Sequence, residues 1–315
     1  MERVLSWLNR PLFPDSMIRI WMAAVVGIAL LLVLISVVVV IWWKKKQDDK
    51  VTEEPITEHP KTLPELELAN LQGIGNREEQ QDAFGISRMD RYEEDGLLAV
   101  LCDGMGGMAE GGRIAAETVS ELVSIFPWTD DSDISGWISQ RSTRVFQQFR
   151  GYGGTTLVAV LLKENRLSFW CVGDSDLFLL REGKLYGMNI RQEYKNDLLL
   201  RALDGAFPIE EAFHDSQAGA LSEYIGKEKV NCDYNRIPFS LQPEDVLLLC
   251  SDGISDTLTL KQIREAMALS PQVCCDKLEK EILLADKPSQ DNYTTIVLNY
   301  HGKGEKKING NKQNI

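Results

Sequence analysis

Histidine is scarce: only His59, His214 and His301 occur in 315 residues, and each stands alone. That leaves no material for a His-based nucleophilic triad or a His/Cys zinc site. The six cysteines (Cys102, Cys171, Cys232, Cys250, Cys274 and Cys275) form no C-x-x-C pair, and four of the six lie in or beside apolar runs. Such usage excludes a disulfide framework and fits small buried hydrophobes in a reducing compartment. A positive surface is lacking as well, since 34 Lys and Arg against 47 Asp and Glu give a net charge of −13. Residues 1–65 carry eight of each sign, so the whole acidic excess falls on residues 66–315. A body so charged does not suit nucleic-acid backbones, whereas it does suit divalent cations.

Long apolar runs are absent with one exception. Residues 20–43, IWMAAVVGIALLLVLISVVVVIWW, hold 24 positions without a charge, enough to cross a hydrocarbon core of about 30 Å. Trp21 on one side and Trp42 with Trp43 on the other suit the membrane interface, and Lys44, Lys45 and Lys46 follow directly. A cleaved signal peptide would have a shorter apolar core and a small-residue cleavage site, so a retained single-pass anchor is expected. The Lys/Arg bias favours the side after the span by a small margin and, with the thiol usage, places the C-terminal body in the cytoplasm. Residues 1–19 form a tail before this span. Residues 44–65, charged and with three prolines, read as an extended linker, and the polar residues 303–315 as a disordered tail.

Residues 66–302 are left as one body, and a chain with 44% hydrophobic residues can give it a sizeable core. It has no internal repeat. Apolar, β-branched runs at 155–162, 166–174 and 176–188 are joined by short polar turns, which implies antiparallel hairpins. Helical spacing appears at 114–126, at 260–269 behind a Thr259/Gln262 capping box, and at 272–284. Strands and helices in separate blocks indicate an α+β layered fold.

The stretch LLAVLCDGMGGMAEGG, residues 97–112, poses a choice. Gly104 to Ala109 satisfies the dinucleotide pattern G-x-G-x-x-G/A. Asp103, however, would repel a pyrophosphate at the first glycine, and antiparallel hairpins supply no βαβ unit. A nucleotide cofactor is therefore not expected. Aspartates recur in a similar setting: Asp103, Asp174 and Asp252 each close an apolar strand, Asp82 lies in REEQQDAF, and Asp291 precedes the strand TTIVLNY. A charge at the end of a buried run is costly unless it is paired or bound to a cation. Carboxylates without histidine or cysteine suit Mg²⁺ or Mn²⁺.

The order of these motifs resembles that of the metal-dependent Ser/Thr protein phosphatases of the PPM group, also called protein phosphatase 2C-like. Gly75 to Phe84 (GNREEQQDAF) is similar to the opening G-x-R-x-x-N-x-D-A, and Asp103 to Gly107 to D-G-M-G-G. Gly154-Thr155-Thr156, Gly173-Asp174-Ser175, Cys250-Ser251-Asp252-Gly253 and Asp291-Asn292-Tyr293-Thr294 resemble the later motifs, in order, from about Leu71 to Tyr300.

The resemblance implies a four-layer αββα sandwich, two antiparallel sheets flanked by helices, with two Mn²⁺ or Mg²⁺ ions at one edge. It implies that Asp103 and the Gly104 carbonyl join Asp82, Asp252 and Asp291 around these ions, Asp82 through a water. Asp174 would belong to a third, weaker site, and Arg77 would grip the substrate phosphate, making Arg77 and Asp103 the catalytic pair. The implied reaction is hydrolysis of phosphoserine and phosphothreonine in proteins by water activated between two metals. A membrane-bound Ser/Thr kinase is the expected counterpart.

Departures are present too. Met105 and Met108 stand where many members have histidine, Gln80 and Gln81 replace Asn and Glu, and Asp176 occupies an arginine position. Residues 192–221, the expected flap beside the cleft, match poorly. These departures leave open a tethered phosphatase-like module that binds phosphoproteins or metal without turnover.

Overall fold

The computed structural model describes residues 65–105, 110–129 and 133–302. The tail 1–19, the apolar run 20–43, the linker up to residue 64 and the tail 303–315 lie outside the described residues, as do Gly106 to Ala109. No helix among the described residues is long and apolar enough to cross a membrane.

In chain order the strands are β1 (Leu66–Gly73), β2 (Asp82–Ile86), β3 (Leu97–Asp103), β4 (Leu157–Lys163), β5 (Arg166–Val172), β6 (Asp176–Arg181), β7 (Lys184–Gly187), β8 (Asp233–Tyr234), β9 (Phe239–Ser240), β10 (Asp245–Cys250) and β11 (Tyr293–Tyr300). The helices are α1 (Tyr92–Asp95), α2 (Gly111–Ser124), α3 (Ile134–Phe149), α4 (Tyr194–Leu203), α5 (Ile209–His214), α6 (Asp252–Ser255), α7 (Leu260–Met267) and α8 (Pro271–Ala285). One sheet runs β1-β11-β10-β6-β7; the other runs β2-β3-β4-β5-β8, with β9 also on β5. Every pairing between these strands is antiparallel, so the described residues contain no parallel βαβ unit.

Alternation along the strands explains the layers. On β3, Leu97, Ala99 and Leu101 join Leu247 and Leu249 of β10 and Ile296 and Leu298 of β11 in a core between the two sheets. The intervening Leu98, Val100 and Cys102 point the other way, onto Ile114, Ala115 and Leu122 of α2 and Ile138 and Val145 of α3. On the opposite outer face, Val246, Leu248, Cys250 and Val297 meet Ile263 and Met267 of α7 and Cys274, Leu278 and Ile282 of α8. Three apolar seams between four layers reproduce the expected α+β sandwich. A side-chain period of two on each strand supplies two seams at once.

The hairpins follow from local chemistry. The β6–β7 turn has φ of 50° at Glu182 and 73° at Gly183, as a two-residue turn matched to strand twist requires. The Thr259/Gln262 capping box forms as expected. Helix α3 does not stand out in the sequence, because glutamine, serine and arginine dilute its apolar stripe. Its Asp133 side chain caps the Gly136 N–H, and its buried Arg141 donates to Glu121 at 2.7 Å and Glu117 at 3.3 Å, both on α2. All six cysteines are free thiols.

Replacing Leu249, fully buried between the sheets, with alanine should cost about 2–5 kcal/mol in urea unfolding, whereas Thr259→Ala should cost only about 1 kcal/mol through its lost cap. Equal losses would contradict the placement of the core seam.

Candidate active site

The antiparallel register of β2 and β3 sets Asp82 directly opposite Asp103. On the neighbouring ladder β4 begins just after Thr155 and Thr156, whose hydroxyls hold the end of β3. Thr155 Oγ1 donates to the Asp103 carbonyl at 2.8 Å, and the Asp103 N–H donates to Thr156 Oγ1 at 2.9 Å. Thr156 Oγ1 lies 2.8 Å from Ser175 Oγ, linking this corner to the G-D-S turn after β5. Gly173, at φ 98°, gives that turn a left-handed backbone that favours glycine. The other sheet contributes Asp252, two residues beyond β10, and Asp291, two residues before β11.

Glycine at 104 answers a close approach. A Cβ there would stand 2.5 Å from the Gly111 carbonyl carbon and 2.7 Å from the Gln81 oxygen. The Gly104 N–H donates to that Gln81 oxygen at 3.1 Å. Gln80 fills its altered position well: its Oε1 accepts from the Asp82 N–H and its Nε2 donates to the Gly73 carbonyl, both at 3.0 Å.

The structure brings all the expected carboxylates into one electrostatic neighbourhood. Asp82 is 6% exposed; its Oδ2 accepts from Ser251 Oγ at 2.8 Å, while its Oδ1 is buried without a partner. Burial first, and then the charges of Asp252 and Asp291, push its carboxyl up to about 6 against hydrogen bonds from Thr294 and Ser251. Asp103 is driven well above the usual carboxylate range by burial, then by Asp82, Asp252, Asp174 and Asp291. Burial and Asp252 raise Asp174 to about 7. Asp252 is raised by burial, then by Asp256 and Asp291, and its Oδ1 is also buried without a partner.

Asp291 stands at the rim. Its Oδ1 accepts from the Asn292 N–H at 2.8 Å, and its Oδ2 accepts from Arg77 Nη2 at 2.7 Å. The depression beside this pair has a volume of about 330 Å³ and is lined by Asn76, Arg77, Glu78, Glu79, Gln81 and Asp291. As these side chains stand, no three or more His, Cys, Asp or Glu among the described residues form a shell that would hold a metal ion. The donors nevertheless fit hard cations. They are all oxygen, two of their oxygens are buried and orphaned, and burial with mutual repulsion raises the proton affinity of Asp82, Asp103, Asp174 and Asp252, which a bound cation relieves.

Some members of the site have little sequence signal. Ser251 bonds Asp82 and also accepts from the Thr294 N–H at 3.0 Å. Asn292 donates to the carbonyls of Ile74 and Glu79 and accepts from the Gln81 N–H. Both sit inside short motifs whose aspartates draw attention first. Arg191, 15 residues from its partner Asp176, has no local signal.

A two-sheet sandwich with helices on both outer faces and an acidic cleft at the strand ends defines a class of metal-dependent hydrolase. A family model described as protein phosphatase 2C matches residues 73–286, and the chain belongs to that family of serine/threonine protein phosphatases. The serine/threonine phosphatase Stp of Listeria monocytogenes is 26% identical over 217 residues, 64% of this chain and 83% of that protein. The solved serine/threonine phosphatase of S. agalactiae superposes with a TM-score of 0.62 at 27% identity, covering 74% of this chain and 98% of that one. The catalytic domain of the phosphatase PstP, solved with two manganese ions, superposes with a TM-score of 0.57 at 23% identity, covering 74% and 97%.

A carboxyl whose folded pKa exceeds its unfolded value stabilises the fold below the unfolded pKa and loses that contribution as pH rises through the folded one. Without metal, Asp82 and Asp174 should therefore make the domain less stable as pH rises from near 4 through 6 and 7. Saturating Mn²⁺ at 100 times its Kd should add about 2.7 kcal/mol at pH 8 and much less at pH 5, where protons compete. Melting curves with chelator and with Mn²⁺ at both pH values check this, and a metal effect independent of pH would refute it.

Proposed function

We propose that this chain removes phosphate from phosphoserine and phosphothreonine in proteins at the cytoplasmic face of a membrane, held there by residues 20–43. The observation that carries the reading is the convergence of Asp82, Asp103, Asp174, Asp252 and Asp291 from both sheets beside Arg77. Asp103 with the Gly104 carbonyl, Asp82, Asp252 and Asp291 would hold two Mn²⁺ or Mg²⁺ ions, and Asp174 a third. Bound there, the ions supply an acidified water and neutralise phosphoryl charge.

The protein's own groups do the remaining work. Arg77 offers a planar, permanently charged fork at the mouth of the depression, suited to two phosphate oxygens. Asp291 orients that fork through the 2.7 Å contact. Burial of Asp82 and Asp103 keeps bulk water from competing for their oxygens. Histidine is absent at 105, so solvent rather than a side chain at this position returns the proton to the leaving serine or threonine. A membrane-bound Ser/Thr kinase acting on the same proteins is the natural opposing activity.

Asp103→Asn and Asp252→Asn should each lower manganese-dependent hydrolysis of a phosphothreonine peptide by at least about a hundredfold while leaving the fold intact. Arg77→Ala should raise KM for that peptide more than it lowers kcat. Tight phosphopeptide binding without turnover at saturating manganese would replace this reading with that of a binding module.

A further inference from the structure

Asp176 opens β6 two residues after Asp174, buried at the edge of the acidic cleft. Its counterion is Arg191, on the segment leading from β7 into the flap. Arg191 Nε lies 3.1 and 3.2 Å from the two Asp176 oxygens, and Nη2 lies 2.7 Å from Oδ2. The same Nη2 donates to Ser255 Oγ at 2.6 Å. Nη1 donates to Asp256 Oδ1 at 2.7 Å and to Glu193 Oε1 at 3.3 Å.

One guanidinium therefore ties together three segments: the turn bearing Asp174, the turn bearing Asp252 and the root of the flap. The neighbouring backbone closes the same junction. Gln192 exchanges two bonds with Gly173, its N–H donating at 2.9 Å and its Oε1 accepting at 2.8 Å. Asn189 accepts from the Leu177 N–H at 2.8 Å and donates to the Ser175 carbonyl at 2.9 Å. The Arg191 carbonyl accepts from Asn196 Nδ2, in the first turn of α4, at 2.5 Å. Four acceptors in different directions require the five fixed N–H groups of arginine, which a lysine ammonium lacks.

We propose that Arg191 is a positioning residue of the site. It sets the separation between the Asp174 and Asp252 turns and holds the root of the flap beside the cleft, so cation affinity and phosphopeptide affinity depend on a side chain that touches neither ligand. The second dependence rests on the phosphatase reading above; the first does not.

The test compares the full-length chain with Arg191→Met and Arg191→Lys, reading Mn²⁺ affinity by calorimetry and kcat and KM for an aryl phosphate and a phosphothreonine peptide. Loss of a partner outside the ligand shell costs roughly 10- to 100-fold in metal affinity, so Arg191→Met should bind Mn²⁺ at least about tenfold more weakly. The peptide KM should rise by a similar factor, and the aryl phosphate KM, which needs no flap, by less. Arg191→Lys, keeping the charge without the fork, should fall between Arg191→Met and the wild type. Unchanged Mn²⁺ affinity in a folded Arg191→Met, judged by near-ultraviolet circular dichroism, overturns the proposal. Should that variant fail to fold, Arg191→Lys decides alone: wild-type Mn²⁺ affinity overturns the proposal and weakened affinity supports it. A wild-type chain that binds Mn²⁺ yet hydrolyses neither substrate overturns the phosphatase reading, while the calorimetric comparison still judges Arg191.

Discussion

The partial withdrawal from water of carboxylates that also repel one another is the constraint around which the cleft is built. Asp82, Asp103, Asp174 and Asp252 are all pushed above their ordinary proton affinity, and burial is the largest cause for each. Such a group disperses or takes up protons unless the backbone beneath it is held. Around Asp82 and Asp103 the holding is done by neutral side chains: Thr155 and Thr156 on the end of β3, Ser251 across to Asp82, and Asn292 across to three points of the β1–β2 loop. None of these neutral groups offsets the negative charge. They fix geometry and leave the charge for a cation to satisfy.

The two guanidiniums near the cleft divide a different task. Arg77 is half exposed at the rim with one carboxylate partner, whereas Arg191 is largely enclosed and spans four side chains. An arginine with a single exposed partner can exchange it for an incoming anion at small cost. One embedded among several cannot, because releasing Asp176 or Glu193 strands a buried charge. Position thus separates a group suited to meeting substrate from one suited to structure, although both face aspartates.

Much of this was readable before the fold was known. The β4–β5 hairpin, the helices α2, α7 and α8, and the capping box at Thr259 follow from periodicity and turn chemistry. The run 176–188 does not: it splits into β6 and β7, and β6 joins the sheet opposite β5 instead of pairing with it. The aspartates stood out because each sits at the end of an apolar run. What could not be read depends on contacts between distant segments. Arg191 looks like an ordinary loop cation until β6 and α6 are placed beside it, and Asn292 looks like a turn residue until its partners at 74, 79 and 81 arrive. Helix α3 was obscured for another reason: its buried Arg141 and Ser142 break the apolar stripe, and distant partners make their burial tolerable, Glu117, Thr118 and Glu121 of α2 for the arginine and the backbone of Gly226 and Lys227 for the serine.

The cleft draws its aspartates from both sheets, three from one and two from the other, and no strand belongs to both. The backbone spacing beneath the two sets is consequently set by the apolar seam that Leu101, Leu249 and Ile296 help fill, about 10 Å in a packed sandwich, and side chains such as Ser251 and Asp82 bridge it at the edge. The seam acts as a gauge block. A methylene added or removed there changes a length that the acidic edge must match to fractions of an ångström, so core residues far from any phosphate help set the calibration of the site.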